Sequence, residues 1–186
     1  MAWPGILTLG LCVTLLGVVI LRTAVRKDYR RLGRLTLVSS GLETFVFAFL
    51  GLFIWLSSPS GWPAPASGLA LAIPAWAFIA FGVVILAGAM GQLGLPRSWG
   101  HGEDTLLESG VYRLSRNPQI AGCAILLLGA ALISGTWYSV GWMGSYSVIA
   151  HTMVLTEEEH LTHKYGDAYR RYCSRVPRYV GIRPGL

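Results

Sequence analysis

Charged residues are scarce in this chain. Asp, Glu, Lys and Arg make up 13% of its 186 residues, whereas hydrophobic residues make up 53%. A soluble domain usually has about a quarter of its residues charged. A single domain of this size therefore has more apolar surface than its own core can bury, which argues against a water-soluble globule and indicates contact with lipid.

Cysteine is also scarce. Cys12, Cys123 and Cys173 are odd in number and far apart, and none belongs to a CxxC pair. This pattern predicts neither a disulfide framework nor a zinc site, and the histidines show no ligand spacing, so we expect no metal. The net charge of +6 does not indicate nucleic acid, because the basic residues lie in short segments between long apolar runs.

Long apolar runs account for most of the chain. A bilayer core about 30 Å thick requires about 20 apolar residues per helix. Five segments come near this length, and they are residues 3–21, 35–56, 69–92, 118–133 and 137–155. The sequence therefore predicts an all-α, polytopic membrane protein that forms one domain over residues 1–186, with about five transmembrane helices.

The basic residues predict how these helices are oriented. All 15 Lys and Arg residues lie in the loop 22–34, the loop 93–117 or the tail 156–186. Basic residues beside transmembrane helices favour the cytoplasmic side. Five spans with the N-terminus outside place all three segments in the cytoplasm. The compact, Gly/Ala/Leu-rich chain favours a prokaryotic plasma membrane, with the endoplasmic reticulum as the alternative.

The tail differs from the spans because it is charged and periodic. Leu161, Tyr165, Tyr169 and Tyr172 recur at helical spacing within residues 157–175. This is one face of an amphipathic helix, and basic residues on such a helix suit a membrane surface. We therefore expect a cytoplasmic amphipathic C-terminal helix.

Two segments on the predicted cytoplasmic side combine charge with helix-end chemistry. Before the fourth span, Arg113 and Arg116 precede Asn117-Pro118, a good helix start whose free N–H groups favour an anion. After the fifth span, Glu157 begins a run of three carboxylates. The short link between these spans should make the two segments neighbours, and their opposite charges would suit a zwitterionic ligand. A capped helix start and a solvated acidic turn are the simpler interpretations.

The order and spacing of residues in the second half of the chain form a longer pattern. Its members are Gly110, Val111, Tyr112, Arg116, Pro118, Glu157, Glu158, Leu161, Gly166, Tyr169, Tyr172, Val176, Pro177 and Arg178. They resemble the membrane methyltransferases of the isoprenylcysteine carboxyl methyltransferase and phospholipid methyltransferase superfamily. Asn117 stands where that family usually has His, so a role that requires a histidine base is not expected there.

The resemblance implies a function and a site. It implies that S-adenosylmethionine binds at the cytoplasmic face and that a lipophilic methyl acceptor enters from the bilayer. The implied cofactor pocket consists of Tyr112, Arg116, Asn117, Pro118, Glu157 and Glu158. Arg116 and Asn117 are candidate catalytic residues, and the tail helix would act as a lid. The acceptor could be a prenylcysteine carboxylate, a phospholipid amine or a hydrophobic thiol.

Three further residues are candidates for contact with the acceptor. Glu43 is the only charged residue of the second span, and ionisable residues within a membrane commonly mark functional sites. It is also a candidate catalytic residue, although a protonated, hydrogen-bonded structural role is equally compatible. His151 in the fifth span could line an acceptor tunnel or pack between helices, and Arg171 could contact the acceptor from the tail.

Two other functions fit parts of the same sequence. Some membrane sterol reductases resemble the C-terminal region, so an NADPH-dependent reductase is one alternative, although such chains are usually much longer. A small transporter or non-catalytic membrane subunit is the other. The lack of an inverted repeat and the single acid within the spans argue against a transporter.

Overall fold

The structure, a computed structural model, describes residues 3–57, 68–94, 105–134 and 137–180, which contain helices and connecting turns and no β-strand. The helices in chain order are α1 (Trp3–Ile20), α2 (Arg26–Leu32), α3 (Leu37–Ser57), α4 (Gly68–Leu93), α5 (Pro118–Ser134), α6 (Trp137–Tyr165) and α7 (Asp167–Arg175). A π-helical segment, Leu21–Val25, joins α1 to α2, and a 3₁₀ turn, Gly110–Arg113, precedes α5.

The five predicted spans each coincide with a helix, namely α1, α3, α4, α5 and α6. Two stretches of the described chain, Leu7–Leu32 and Leu71–Leu93, are long and apolar enough to cross a membrane by length and composition. Leu37–Leu52 and Pro118–Ser134 are shorter apolar helices. The all-helical fold is therefore confirmed, whereas the number of five transmembrane helices stays a prediction.

The prediction of a loop at residues 22–34 is wrong for most of its length. The helix that begins with α1 continues through the π-helical segment and α2 as far as Leu32. No glycine or proline lies between Gly17 and Gly33, and Gly33 adopts a φ of 66° and donates its N–H to Tyr29 O at 3.2 Å. This left-handed glycine is what ends the helix, because residues with a Cβ rarely adopt that conformation.

The single tail helix predicted within residues 157–175 is also corrected. Helix α6 continues without interruption to Tyr165, and Gly166, at a φ of 53°, separates it from α7. The predicted apolar face survives the break, because Tyr169, Tyr172 and Val176 form a buried cluster against which Leu161 packs. The tail therefore folds back on the end of α6.

Helices α4 and α5 pack closely through glycine. A Cβ added to Gly82 would lie 2.6 Å from the Gly122 O and Leu126 N atoms, and one added to Gly129 would lie 2.5 Å from Ala75 O. Only residues without a side chain permit this separation, which is the usual way in which apolar helices associate when lipid surrounds them. The small-residue runs of the sequence thus serve helix packing.

A second apolar core joins α1, α3 and α6. Leu21 and Ile149 are fully buried in it, and Val46 contributes from α3. Gly17 brings α1 close, since its Cβ position lies 3.0 Å from Val46 Cγ1 and 3.3 Å from Ile149 Cδ1. Helix α6 is therefore shared: it packs against α1, α2, α5 and α7, and the ends of these helices surround its C-terminal half.

Candidate functional site

A cavity of about 410 Å³ lies where α2, α6, α7 and the start of α5 meet. Small-molecule sites in proteins usually measure about 300–1,000 Å³. The walls are both aromatic and charged. They include Tyr29, Arg34, Tyr112, Arg116, Asn117, Gln119, Ile120, Met153, Glu157, His160, Lys164, Tyr165, Tyr169 and Tyr172.

One wall is built on an ion-paired group of three side chains. Arg116 Nη1 lies 2.9 Å from Glu158 Oε1, and both side chains are nearly buried, at 9% and 13% exposed. Arg178 binds the same carboxylate in a bidentate manner: Nε donates to Oε1 at 3.0 Å and Nη2 donates to Oε2 at 2.7 Å. The predicted proximity of the two charged segments is thus confirmed at this ion pair, whose paired guanidinium groups satisfy the buried carboxylate.

The backbone of residues 177–178 closes over the start of α5. Arg116 donates its N–H to Pro177 O at 2.9 Å, and the Asn117 side-chain amide donates to Arg178 O at 2.9 Å. Ser115 Oγ accepts the Asn117 N–H at 3.1 Å. Ser115 therefore caps the turn before Pro118, and the Asn117 side chain holds the C-terminal segment in place.

Glu157 lies in the cavity, whereas the adjacent Glu158 and Glu159 form ion pairs with arginines. Among the residues that the structure describes, none forms a hydrogen bond or ion pair with the Glu157 carboxylate. Burial, and secondarily the nearby charge of Glu158, raise the pKa of Glu157 to about 7. A cation that enters the cavity would stabilise the ionised form of this carboxylate, because it compensates for the solvation lost on burial.

Two further polar atoms at the cavity lack partners. Tyr112 Oη and Arg116 Nε are buried, and neither has a hydrogen-bond partner within the described ranges. Burial, with a smaller contribution from Glu157, raises the pKa of Tyr112, so its hydroxyl stays protonated. Buried donors are almost always paired in proteins, and an unpaired one requires an explanation. A bound ligand would supply the missing acceptors.

A stacked aromatic pair forms another wall. The rings of Tyr29 and His160 lie 4.3 Å apart with an interplanar angle of 13°. Burial, followed by the charges of Lys164 and His163, lowers the pKa of His160 to about 4. The imidazole is therefore neutral near pH 7, and the pair offers flat, uncharged surface next to the unpaired acid.

The family model described as phospholipid methyltransferase matches residues 70–168, which is more than half of the chain. This chain belongs to the phospholipid methyltransferase family. The resemblance found in the sequence is confirmed, and membership implies a methyltransferase. The family and the two long apolar helices together indicate a membrane protein. No curated protein and no solved structure matches the chain.

The match covers only part of the cavity of this phospholipid methyltransferase family member. Four of the predicted cofactor residues line the cavity within the matched range, namely Tyr112, Arg116, Asn117 and Glu157. Tyr29 lies before the matched range, and Tyr169 and Tyr172 lie after it. The roles predicted for the four residues stay predictions, but their convergence on one cavity is observed.

The remaining predicted residues lie elsewhere. Pro118 is buried at the first position of α5, and Glu158 faces the two arginines rather than the cavity. Glu43 lies on α3 and is not among the described residues that line the cavity. His151 Nδ1 lies 2.8 Å from Tyr179 Oη, and Arg171 is exposed on α7.

Sequence reasoning missed several residues of this site. Tyr29 and His160 come from segments far apart in the chain, and no motif connects them. Ser115 gave no signal because a serine before a helix is common. Cys173 lies 2.7 Å from Arg116 Nη1, although its isolation in the sequence gave no hint of a contact. For Tyr169 and Tyr172 the helical spacing in the tail was a usable signal.

Proposed function

We propose that this chain is an S-adenosylmethionine-dependent methyltransferase that acts on a lipophilic acceptor. The observation that carries the proposal is that, among the described residues, the Glu157 carboxylate in the cavity and two buried polar groups beside it, on Tyr112 and Arg116, have no partners. S-adenosylmethionine has a sulfonium and an ammonium group, which suit an acid, and a carboxylate, which suits a guanidinium N–H. The residues present therefore fit this cofactor.

The aromatic and charged walls favour this cofactor over NADPH. The Tyr29–His160 stack and the tyrosines of α7 offer flat surface for an adenine ring. NADPH would bring several phosphate charges into a cavity that contains a buried acid, and like charges at short range are costly where the dielectric constant is low. A reductase is therefore the less favoured function.

The proposed methyl transfer does not require a side chain to activate the methyl donor. When bound, the cofactor supplies a methyl group that a sulfonium has already made electrophilic, so the protein mainly has to align the reactants and exclude water. Glu157 and Arg116 are the groups that would hold the two charged ends of the cofactor. Glu158 and Arg178 act as positioning residues, because they fix Arg116 through the ion pair rather than line the cavity.

The acceptor is proposed to enter from the bilayer. Exposed apolar side chains cover the outer faces of α1 and α4, such as Leu11 and Val84, and these faces suit lipid. Glu43 is proposed to lie near the acceptor head group, since it is the only charged residue of the predicted second span. Carboxylate, amine and thiol acceptors all remain candidates. We further propose that the N-terminus is outside and the C-terminus cytoplasmic, in a prokaryotic plasma membrane.

Titration of the purified full chain with three ligands tests the cofactor. We expect S-adenosylmethionine and S-adenosylhomocysteine to bind by isothermal titration calorimetry and NADPH not to bind. Glu157→Gln should weaken S-adenosylmethionine binding roughly tenfold or more, because a charge-assisted contact contributes about 1.5–3 kcal/mol. Asp167→Asn is the matched control, since this acid is 76% exposed and pairs only with Arg170 among described residues.

The outcomes separate the candidate functions. Binding of NADPH without S-adenosylmethionine would favour the reductase, and binding of neither would favour a non-catalytic protein. Equal affinity of wild type and Glu157→Gln would show that the unpaired acid does not hold the cofactor. Transfer of a labelled methyl group into total lipid extract, with mass identification of the product, would then define the acceptor.

A further inference from the structure

A second, more open groove of about 810 Å³ shares the Tyr29–His160 stack with the cofactor cavity. It runs between α2 and the C-terminal part of α6. Its ionisable lining residues include Arg22, Arg26, Arg30, Glu158, Glu159 and His163. Glu158 is already paired with Arg116 and Arg178, but the other residues have no role in the proposed methyl transfer, so the groove needs its own explanation.

Three arginines in this groove converge on one carboxylate. They are spaced four residues apart, one per helical turn, so they share a face of the helix. Arg26 donates from Nε to Glu159 Oε2 at 2.7 Å and from Nη2 to Oε1 at 3.1 Å. Arg22 Nη1 lies 3.4 Å from Oε1, and Arg30 Nη2 is farther, 3.8 Å from Oε2.

The charges of this group do not balance. Glu159 is ionised at neutral pH, because the hydrogen bond from Arg26 is the largest of the effects that lower its pKa. One carboxylate therefore faces three guanidinium groups, each of which has five N–H donors. Among the residues that the structure describes, two positive charges and many donors of this group are left without an acidic partner. Guanidinium groups arranged in this way suit the oxygens of a phosphate, which they can bind through paired hydrogen bonds.

The groove begins where the long apolar helix becomes charged. Residues 7–21 of that helix contain no charged residue, and Arg22 directly follows the buried Leu21. In a helix that spans a bilayer this change in polarity marks the level of the lipid head groups. Lipid phosphates, rather than phosphates dissolved in water, are the most concentrated anions at that level.

We propose that the groove of Arg22, Arg26 and Arg30 binds the phosphate of an anionic membrane lipid, and that Glu159 occupies the arginines when no lipid is bound. The proposal rests on the membrane placement in the proposed function and assigns a lipid site separate from the cofactor cavity. The carboxylate competes with the phosphate, so removing its charge should strengthen lipid binding, whereas removing arginines should weaken it.

Native mass spectrometry of the full chain in mixed micelles tests the proposal. We expect more adducts with phosphatidylglycerol than with phosphatidylcholine at equal mole fraction. Arg22→Gln/Arg26→Gln should reduce phosphatidylglycerol affinity about tenfold or more, because each arginine near a lipid surface contributes on the order of 1 kcal/mol. Lys27→Gln/Arg31→Gln removes the same charge from the same helix, outside the groove, and should change affinity less than about threefold.

Glu159→Gln distinguishes a lipid site from a purely structural ion pair. The lipid site predicts that phosphatidylglycerol binds more tightly in this variant by about threefold or more. Unchanged or weaker phosphatidylglycerol binding by Glu159→Gln would overturn the proposal. An equal loss of phosphatidylglycerol affinity in the two double variants would overturn it as well. Adducts with inorganic phosphate but not with phosphatidylglycerol would show that the ligand is free phosphate and would overturn the lipid assignment.

The same samples separate this proposal from the proposed function. S-adenosylmethionine affinity, measured on each variant, reports on the cavity and not on the groove. Selective phosphatidylglycerol binding together with failure to bind S-adenosylmethionine would refute only the cofactor assignment. Normal cofactor binding without lipid selectivity would refute only the lipid site.

Discussion

The α4–α5 pair and the charged end of α6 are held together by opposite means. In the first region, glycines let two backbones approach until a Cβ would lie 2.5 Å from a carbonyl oxygen. In the second, Arg116 and Arg178 surround Glu158, while the adjacent Glu157 has no partner in the described part of the chain. Close packing leaves no room for a ligand, whereas the charged region holds a cavity. The first region therefore supports the fold, whereas the second has room for the proposed ligand.

The largest effect is expected from filling the glycine contact. In Gly129→Val the new side chain would meet Ala75 O and Ile79 N, which are backbone atoms that cannot rotate away. Overpacking typically costs about 1–3 kcal/mol, and the cost rises when backbones must move. We expect about 3 kcal/mol or more in thermal unfolding in detergent. Gly141→Ala, with nothing within 4 Å, should be nearly neutral, and equal stability of both variants would contradict the packing argument.

A smaller loss is expected from breaking the ion-paired group. Glu158→Ala leaves Arg116 nearly buried without its carboxylate, while Arg178, at 38% exposed, can turn to solvent. Removing one partner of a buried pair costs several kcal/mol, and partial exposure reduces this to about 2 kcal/mol. The free energy of unfolding in detergent measures it. S-adenosylmethionine binding should weaken as well, because Arg116 loses its orientation. Loss of affinity without loss of stability would indicate that Glu158 contacts the cofactor itself.

These two regions could be predicted from the sequence to different degrees. The apolar runs predicted helices α4 and α5 themselves, because apolar composition is a local property, but they did not predict that these two helices pair. The charged end depends on which way each side chain points. Glu157, Glu158 and Glu159 are consecutive in a helix, so they point about 100° apart. One faces the cavity, one faces Arg116 and Arg178, and one faces the arginines of α2.

The sequence could not assign those three directions. The neighbour of each acid comes from a different part of the chain, and α2 was expected to be a loop. The motif residues around Arg116 were expected to meet the acids, because a short link joins their helices. Tyr29 could not be expected at the site, since its position depends on the helix continuing to Gly33. Local patterns thus predicted the elements, and packing alone determined which side chains share the cavity.

Glu157→Gln should stabilise the protein above pH 7, whereas Gly129→Val and Glu158→Ala should destabilise it. The pKa of Glu157 is raised to about 7 from its ordinary value of 4.5, so between these pH values the folded state binds more protons than the unfolded state. The free energy of unfolding of the wild type should therefore fall as the pH rises from about 4.5 to 7 and level off above this range. The glutamine variant should lack this fall and be more stable at pH 8 by about 1 kcal/mol.

The same titration predicts how cofactor binding depends on pH. A cationic ligand requires the ionised acid, so S-adenosylmethionine affinity should decrease about tenfold per pH unit below the pKa of about 7. Calorimetry between pH 5.5 and pH 8 measures this slope, and Glu157→Gln should abolish it. If the S-adenosylmethionine affinity of the wild type were constant across this range, the ionised Glu157 carboxylate would not interact with the bound ligand.

The smallest effect is expected where the charged region ends, at the contact between His151 and Tyr179. The two atoms lie 2.8 Å apart, but His151 is exposed, so Tyr179→Phe should cost only about 0.5–1 kcal/mol in unfolding. His151→Phe should cost the same, and the double variant should cost no more than either single one, since both remove one hydrogen bond. Additive losses would show that the two side chains act independently. Residues 177–178 would then be held by their contacts with Arg116, Asn117 and Glu158, without help from the exposed His151–Tyr179 contact.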